Sequence, residues 1–147
     1  MTEREWRRGN FAISTDPAKL DRETIHRFLA SSYWATSIPR EIVDRSIDDS
    51  VSFGLYEDGR QIGFARVITD FATFAYLADV YVLEAHRGRG LARWLMEVIM
   101  SHPALQGLRR FALSTRDAHA LYRQFGFEVV ANPERQMEIM RRSIYLE

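Results

Sequence analysis

The sequence predicts an α+β fold: a mixed, mainly antiparallel twisted sheet of about six or seven strands flanked by about four helices. Three observations predict it. Two helical stretches come first in the chain. Two period-two segments, Val51 to Tyr56 and Gln61 to Phe64, flank Asp58-Gly59, a strong hairpin signal because both turn positions tolerate the left-handed conformation. Finally, an aromatic and β-branched run from Phe74 to Leu83 passes through a glycine-containing turn into an amphipathic helix.

Taken in order, Phe11 to Ser14 reads as a short strand, and Asp16-Pro17 as a helix-start signal for a helix with Ile25, Phe28 and Leu29 on one face. After Tyr33-Trp34, Ser37-Ile38-Pro39 opens a second helix carrying Ile42, Val43 and Ile47, and Asp48-Asp49-Ser50 closes it. The hairpin and the long strand follow. Leu91, Trp94, Leu95, Val98 and Ile99 then recur at helical spacing until His102-Pro103 ends the helix. Arg109 to Thr115 is a further strand. Ala118, Leu121, Tyr122 and Phe125 make one face of a short helix, with Asp117 as its expected N-cap and Gly126 as its stop. Phe127 to Val130 and Met137 to Tyr145 are expected as two closing strands separated by Asn132-Pro133.

The 147 residues, 46% hydrophobic and 27% charged, without repeats or a linker, fit a single domain over 1–147. Twenty Lys+Arg offset twenty Asp+Glu, so no net field draws the chain onto nucleic acid. Cysteine is absent, which excludes a disulfide framework, thiolate metal sites and a Cys nucleophile. The four His show no paired ligand spacing, and no metal is expected. The charged amino-terminal stretch is unlike a signal peptide, and the mostly apolar run Phe71 to Ala78 is too short to cross a membrane. A soluble, cytoplasmic protein is expected.

The informative segment runs from Tyr81 to Trp94. A strand feeding a turn with Gly88 and Gly90 and then a helix leaves several backbone N–H groups unpaired and pointing one way. Glycine admits the sharp turn and a close approach, the helix dipole adds partial positive charge, and Arg87 and Arg89 add full charges. The ligand this suits is a di- or polyphosphate; the alternative is a solvated basic turn. Neither GxxxxGK[ST] nor a GxGxxG placed after a strand is present, so nucleoside triphosphatase and dinucleotide-fold readings fail on spacing.

Arg87-Gly88-Arg89-Gly90-Leu91-Ala92, after Asp79-Val80-Tyr81-Val82-Leu83, resembles the Arg/Gln-x-x-Gly-x-Gly/Ala coenzyme A loop of the GNAT superfamily of N-acetyltransferases and the strand before it. Downstream, Ala118-His119-Ala120-Leu121-Tyr122 followed by Phe125-Gly126-Phe127 resembles that superfamily's Ala-x-x-Leu-Tyr helix and Gly-Phe exit. The element order over nearly the whole chain agrees. The six-residue loop is weak evidence alone; both motifs in order are strong.

The resemblance implies acetyl-CoA as cosubstrate and direct attack by an amine, with no covalent enzyme intermediate. The backbone of Val80, Tyr81 and Val82 would bind the pantetheine arm, an N–H there polarising the thioester carbonyl. The N–H groups from Gly88 through Arg89, Gly90, Leu91 and Ala92 to Arg93 would hold the pyrophosphate. Tyr122 would protonate the departing thiolate; the other reading makes it a core aromatic with a polar tip. Where the superfamily often has an Asn contacting the pantetheine arm, this chain has Thr115, a hydroxyl of shorter reach.

Asp79 is the nearest candidate base and a candidate substrate ligand, although it could equally support the strand; His86 and His119 read as surface or packing residues. The acceptor pocket is expected along Tyr33-Trp34, the Asp70-Phe71 turn and the Asn132-Pro133-Glu134 loop, where aromatic rings and carboxylates could receive a cationic amine, with Trp34 alternatively just packing the helix junction. The expected reaction is N-acetylation of a primary amine on a small molecule or peptide. The alternative is a catalytically weak acyl-CoA-binding sensor or partner module; a nucleotide phosphotransferase ranks below both, for want of a carboxylate pair beside the turn. Met137 to Tyr145 is a candidate for pairing across a homodimer.

Overall fold

The computed structural model describes residues 1–146. Six strands, β1 (Glu5–Arg8), β2 (Phe11–Ser14), β3 (Val51–Glu57), β4 (Arg60–Thr69), β5 (Phe74–Val82) and β6 (Arg110–Leu113), form one sheet in sequence order. Every neighbouring pair is antiparallel except β5 and β6. The parallel pair follows from the crossover helix α3 (Leu91–Ser101), which returns the chain to the edge where β5 began. The mixed, mainly antiparallel sheet expected from the sequence is therefore present.

Side-chain alternation divides the sheet into two faces. On one, Val51, Phe53 and Leu55 of β3, Ala65 and Val67 of β4 and Leu77 of β5 pack against Leu91, Trp94, Leu95, Val98 and Ile99 of α3. On the other, Phe64 and Tyr81 meet Ile25 and Leu29 of α1 (Arg22–Ser31) and Val43 and Ile47 of α2 (Arg40–Asp48). Phe53, Phe64, Leu95 and Ile99 are fully buried, and burial of each such side chain contributes about 1.5–3 kcal/mol. Asp58 and Gly59 both take positive φ, as the hairpin turn requires.

Four expectations are corrected. Asp16-Pro17 starts only a short 3₁₀ turn; α1 is capped by Asp21, whose carboxylate accepts from the Thr24 N–H at 3.1 Å. At α4 (His119–Arg123) the Ala118 N–H is taken by the Thr115 hydroxyl at 3.0 Å, while Asp117 faces Arg116. β1 is an additional strand. Its charged residues hide its pairing, and only Trp6 turns inward, onto Phe53 and His102.

The fourth correction concerns residues 127–130 and 137–145, which are not strands. Short 3₁₀ turns occur at Pro133–Arg135 and Ile144–Leu146, and Val129, Met137 and Ile139 are 66%, 96% and 91% exposed. Their residue types suit strands, but a strand exists only with a hydrogen-bonded neighbour. Among the described residues neither segment pairs, so β6 is the edge of the sheet.

His102 ends α3 and is only 1% exposed; its Nδ1 accepts from the Ala104 N–H at 3.0 Å. Burial, helped by the charge of Arg4, holds its imidazole below the usual range. The unfolded chain therefore binds a proton at His102 more readily than the folded one. The stabilisation is complete above the unfolded pKa of about 6.5 and is lost as pH falls from there toward the folded value. In urea titrations between pH 7.5 and 5, the stability advantage of the native chain over His102→Asn is expected to shrink as pH falls; a constant advantage would contradict this.

Candidate active site at the splay between β5 and β6

β5 pairs with β6 only from Phe74 to Leu77, opposite Arg110 to Leu113. β5 continues to Val82 and stays paired with β4, so its last residues face an opening. Asp79 creates this break. Its φ of 56° lies in the left-handed region, which Asp tolerates better than most residues. Asp79 and Val80 together oppose Ala65 of β4, a β-bulge that bends the strand and re-aims its groups.

Beyond the bulge, the Leu83 N–H donates to the Ile62 carbonyl at 2.8 Å, and the Tyr81 carbonyl lies against Gly63, so both residues turn toward β4. Strand alternation then turns the N–H groups of Val80 and Val82 toward the opening. The Val82 carbonyl on that side already accepts from Arg87 Nε at 2.8 Å, which folds the following loop back onto the strand.

That loop has Gly88 at φ 84° and Gly90 at φ 73°, with no atom beyond the adjoining residues within 4 Å of where either Cβ would stand. Gly90 begins α3 without a side-chain cap, and the Trp94 N–H is the first to reach a helix carbonyl, that of Gly90, at 3.1 Å. The N–H groups of Leu91, Ala92 and Arg93 thus point off the helix end. Together with the dipole they form an anion cradle a few residues from the open β5 edge. The nearby cations are partly committed. Arg89 pairs with Glu57 at 3.0 Å, and Arg93 hydrogen-bonds Gln124 and pairs with Glu97 at 3.4 Å.

Asp79 sits in a network. One carboxylate oxygen accepts from Trp34 Nε1 at 2.9 Å, and the other from Arg66 Nε at 2.9 Å; Arg66 also donates to the Ser50 hydroxyl at 3.0 Å. The Arg66 and Asp79 side chains are only 15% and 11% exposed. Tyr33 packs edge-on against Trp34 at 5.1 Å, with the Arg116 guanidinium 3.9 Å over its ring. Tyr122 is buried and packs against Phe127. Burial, and secondarily Tyr33, pushes its phenol above the usual range, so it remains protonated at neutral pH. Beyond the bulge β5 thus carries two outward donors near an anion cradle and the Trp34–Asp79–Arg66 cluster, while Tyr122 lines a hollow of about 730 Å³ beside β6 together with Thr115.

A model of the acetyltransferase (GNAT) family matches residues 19–127. This chain belongs to the GNAT family of acetyltransferases. A Gibberella zeae protein provisionally named an acetyltransferase is 36% identical over 140 residues, spanning 80% of this chain and 78% of its own. The crystal structure of a Xanthomonas campestris pv. campestris protein, provisionally assigned to the same family, superposes with a TM-score of 0.90 at 51% identity, covering 92% of this chain and 96% of its own. A Clostridium acetobutylicum protein assigned as an acetyltransferase and crystallised with acetyl-CoA shares the fold alone, with TM-score 0.61, 13% identity and 95% coverage of each chain.

Within this GNAT acetyltransferase, Tyr33, Trp34 and Asp79 come together, and Tyr33 reaches the neighbourhood of Tyr122. The Asp70-Phe71 turn does not join them. It connects β4 to the start of β5, at the end of the strand away from Asp79, and Phe71 lines a separate hollow of about 480 Å³ with Arg22 and Ser52. Sequence reasoning missed Arg66, Arg116 and Glu57. Arg66 carried a signal, since it is the one charged residue between Gln61 and Thr69 of an otherwise largely apolar strand. No helix is long and apolar enough to cross a membrane, and among the described residues no cluster of His, Asp or Glu could hold a metal.

Proposed function

We propose that this GNAT protein transfers an acetyl group from acetyl-CoA to a primary amine of a small molecule or peptide. The observation that carries the reading is the uncapped α3 terminus beside the strand edge vacated by β6: one opening offers donors for a diphosphate and for an amide-bearing arm. Acetyl-CoA supplies an acyl group activated as a thioester.

The N–H groups from Gly88 to Arg93 hold its diphosphate, and those of Val80 and Val82 take the pantetheine arm and polarise the thioester carbonyl. Thr115, whose hydroxyl oxygen accepts from the Ala118 N–H just before α4, retains its proton for a bond to the arm. Trp34 and Tyr33 wall the acceptor side. Asp79 uses two of its roughly four acceptor positions on Trp34 and Arg66, leaving room to draw in an ammonium and take its proton. The amine nitrogen forms the new C–N bond, the C–S bond breaks, and Tyr122 gives its proton to the leaving sulfur; the nitrogen's remaining extra proton passes to the Tyr122 phenolate, restoring the phenol, and Asp79 releases its proton to water. The products are an amide and free thiol.

The test combines calorimetry with acetyl-CoA and thiol release over a panel of amino acids, polyamines, aminoglycosides and peptide N-termini. Gly90→Val is the sharpest variant. A β-branched residue at φ 73° costs about 1–2 kcal/mol of backbone strain, and its Cβ projects into the empty space before the cradle. Acetyl-CoA is expected to bind roughly tenfold or more weakly, about 1.4 kcal/mol, with the circular dichroism spectrum retained. Unchanged affinity, or no affinity in the native chain, would refute the reading.

A further inference from the structure

The geometry points to a second binding site on this chain, at the other end of the sheet from the anion cradle: the hollow beside the start of β3, which takes an aliphatic ammonium that also carries a hydroxyl group.

The hollow exists because β3 outruns β2. Their pairing ends with Ser14 opposite Gly54, while β3 begins at Val51, so Val51 and Ser52 have β4 on one side and no strand on the other. The space left there, about 480 Å³, is bounded by Ile47 of α2, Val67 and Thr69 of β4 and Phe71 of the β4–β5 turn.

Ser52 gives the first reason to expect a ligand. It lines the hollow, is only 5% exposed, and its hydroxyl has no hydrogen-bond partner. A buried hydroxyl left unpaired is costly and uncommon. Turning this one toward an occupant sacrifices no existing bond, and a hydroxyl on the occupant supplies the missing one.

Charge gives the second reason. Glu3 and Asp49 also line the hollow, and among the described residues neither carboxylate has an ion pair or a hydrogen bond. The one cationic side chain of the lining, Arg22, is already held by Asp44 at 3.2 Å and Asp48 at 2.9 Å. The balance left over is acidic and attracts a cation. Phe71 adds an aromatic ring that is 47% exposed, on backbone at φ 62°, where a bulky residue is an outlier. Asp70 holds that turn, its carboxylate accepting from the N–H groups of Ala72, Thr73 and Phe74 at 2.9, 2.8 and 3.1 Å. An exposed ring near free carboxylates suits an ammonium.

Ile47, Val51 and Val67 contribute apolar wall, which suits methylenes joining the two polar ends. An anionic ligand would meet two unpaired carboxylates, and a wholly apolar one would leave Ser52 unpaired. The hollow also borders the Asp79 network. Ser50 lines it, and the Ser50 hydroxyl accepts from Arg66, whose Nε donates to Asp79. The site itself does not depend on the acyl-transfer reading.

The probe is aminobutanol, its amine and hydroxyl at opposite ends of the carbon chain, titrated into the full chain while the methyl signals of Ile47, Val51 and Val67 are followed by nuclear magnetic resonance. Saturable shifts are expected, with a Kd on the order of 1 mM for so small a ligand. Butylammonium, which lacks the hydroxyl, is expected to bind roughly fivefold more weakly, and γ-hydroxybutyrate not to bind. Ser52→Ala removes a hydroxyl that has no partner, so the fold is kept, and it is expected to abolish the preference for aminobutanol over butylammonium. Asp49→Asn, at an exposed position, is expected to weaken both amines about threefold at low salt and less at high salt. Methyl signals that do not shift saturably, γ-hydroxybutyrate binding as well as aminobutanol, or a preference that survives Ser52→Ala would each overturn the proposal. These signals report the hollow and not turnover, so failure here leaves the proposed reaction standing, and failure of the reaction leaves this site standing.

Discussion

Tyr122→Phe is expected to lower kcat by roughly 100-fold, at the lower end of the 10²- to 10⁴-fold that a positioned general acid supplies. The lower end follows from the leaving group: a thiolate departs tolerably without a proton. The change removes one oxygen and keeps the ring that packs against Phe127, so the core cost is small. Because burial and Tyr33 hold the phenol above its usual pKa near 10, it stays protonated through the neutral range. The variant should therefore lose rate uniformly between pH 6.5 and 9, with KM for acetyl-CoA little changed. Steady-state kinetics separate the two readings of this residue. A core aromatic would show reduced stability at normal kcat; a general acid shows normal stability at reduced kcat.

The legible parts of this molecule were those whose cause is local. Asp58-Gly59 forces a hairpin because both residues accept positive φ, and the spacing from Leu91 to Ile99 forms one buried stripe wherever the helix lies. Gly88 and Gly90 mark the loop for the same reason, and their left-handed φ values are the ones such a turn needs. What could not be read depends on partners distant in the chain. β1 looks like a charged terminus until Trp6 finds Phe53 and His102. Phe127 to Val130 and Met137 to Tyr145 have strand composition, yet composition cannot supply a neighbour, and among the described residues neither segment pairs. The bulge at Asp79 is likewise invisible locally. It arises because two β5 residues oppose Ala65, and only then do Trp34 and Arg66 converge on the carboxylate.

That convergence yields the largest stability effect expected. Arg66→Met keeps the length of the stem but leaves the Asp79 carboxylate, 11% exposed, without its cationic partner, and removing one member of a buried pair costs about 3–5 kcal/mol. The cost is not the worth of the attraction itself; it is the penalty of an uncompensated charge in a dry place. Asp79→Asn in the same background removes that charge, so the double variant is expected to be more stable than Arg66→Met alone, by about 1 kcal/mol or more of coupling in a double-mutant cycle from chemical denaturation. Additive effects would mean that water reaches the pair. Turnover should separate from stability here. Arg66 donates to Ser50 as well as to Asp79, and Asp79 in turn fixes Trp34. Loosening this chain frees the acceptor wall as well as the strand. The double variant is therefore expected to regain folding without regaining activity, because Asn at 79 restores neutrality but cannot take a proton from an ammonium.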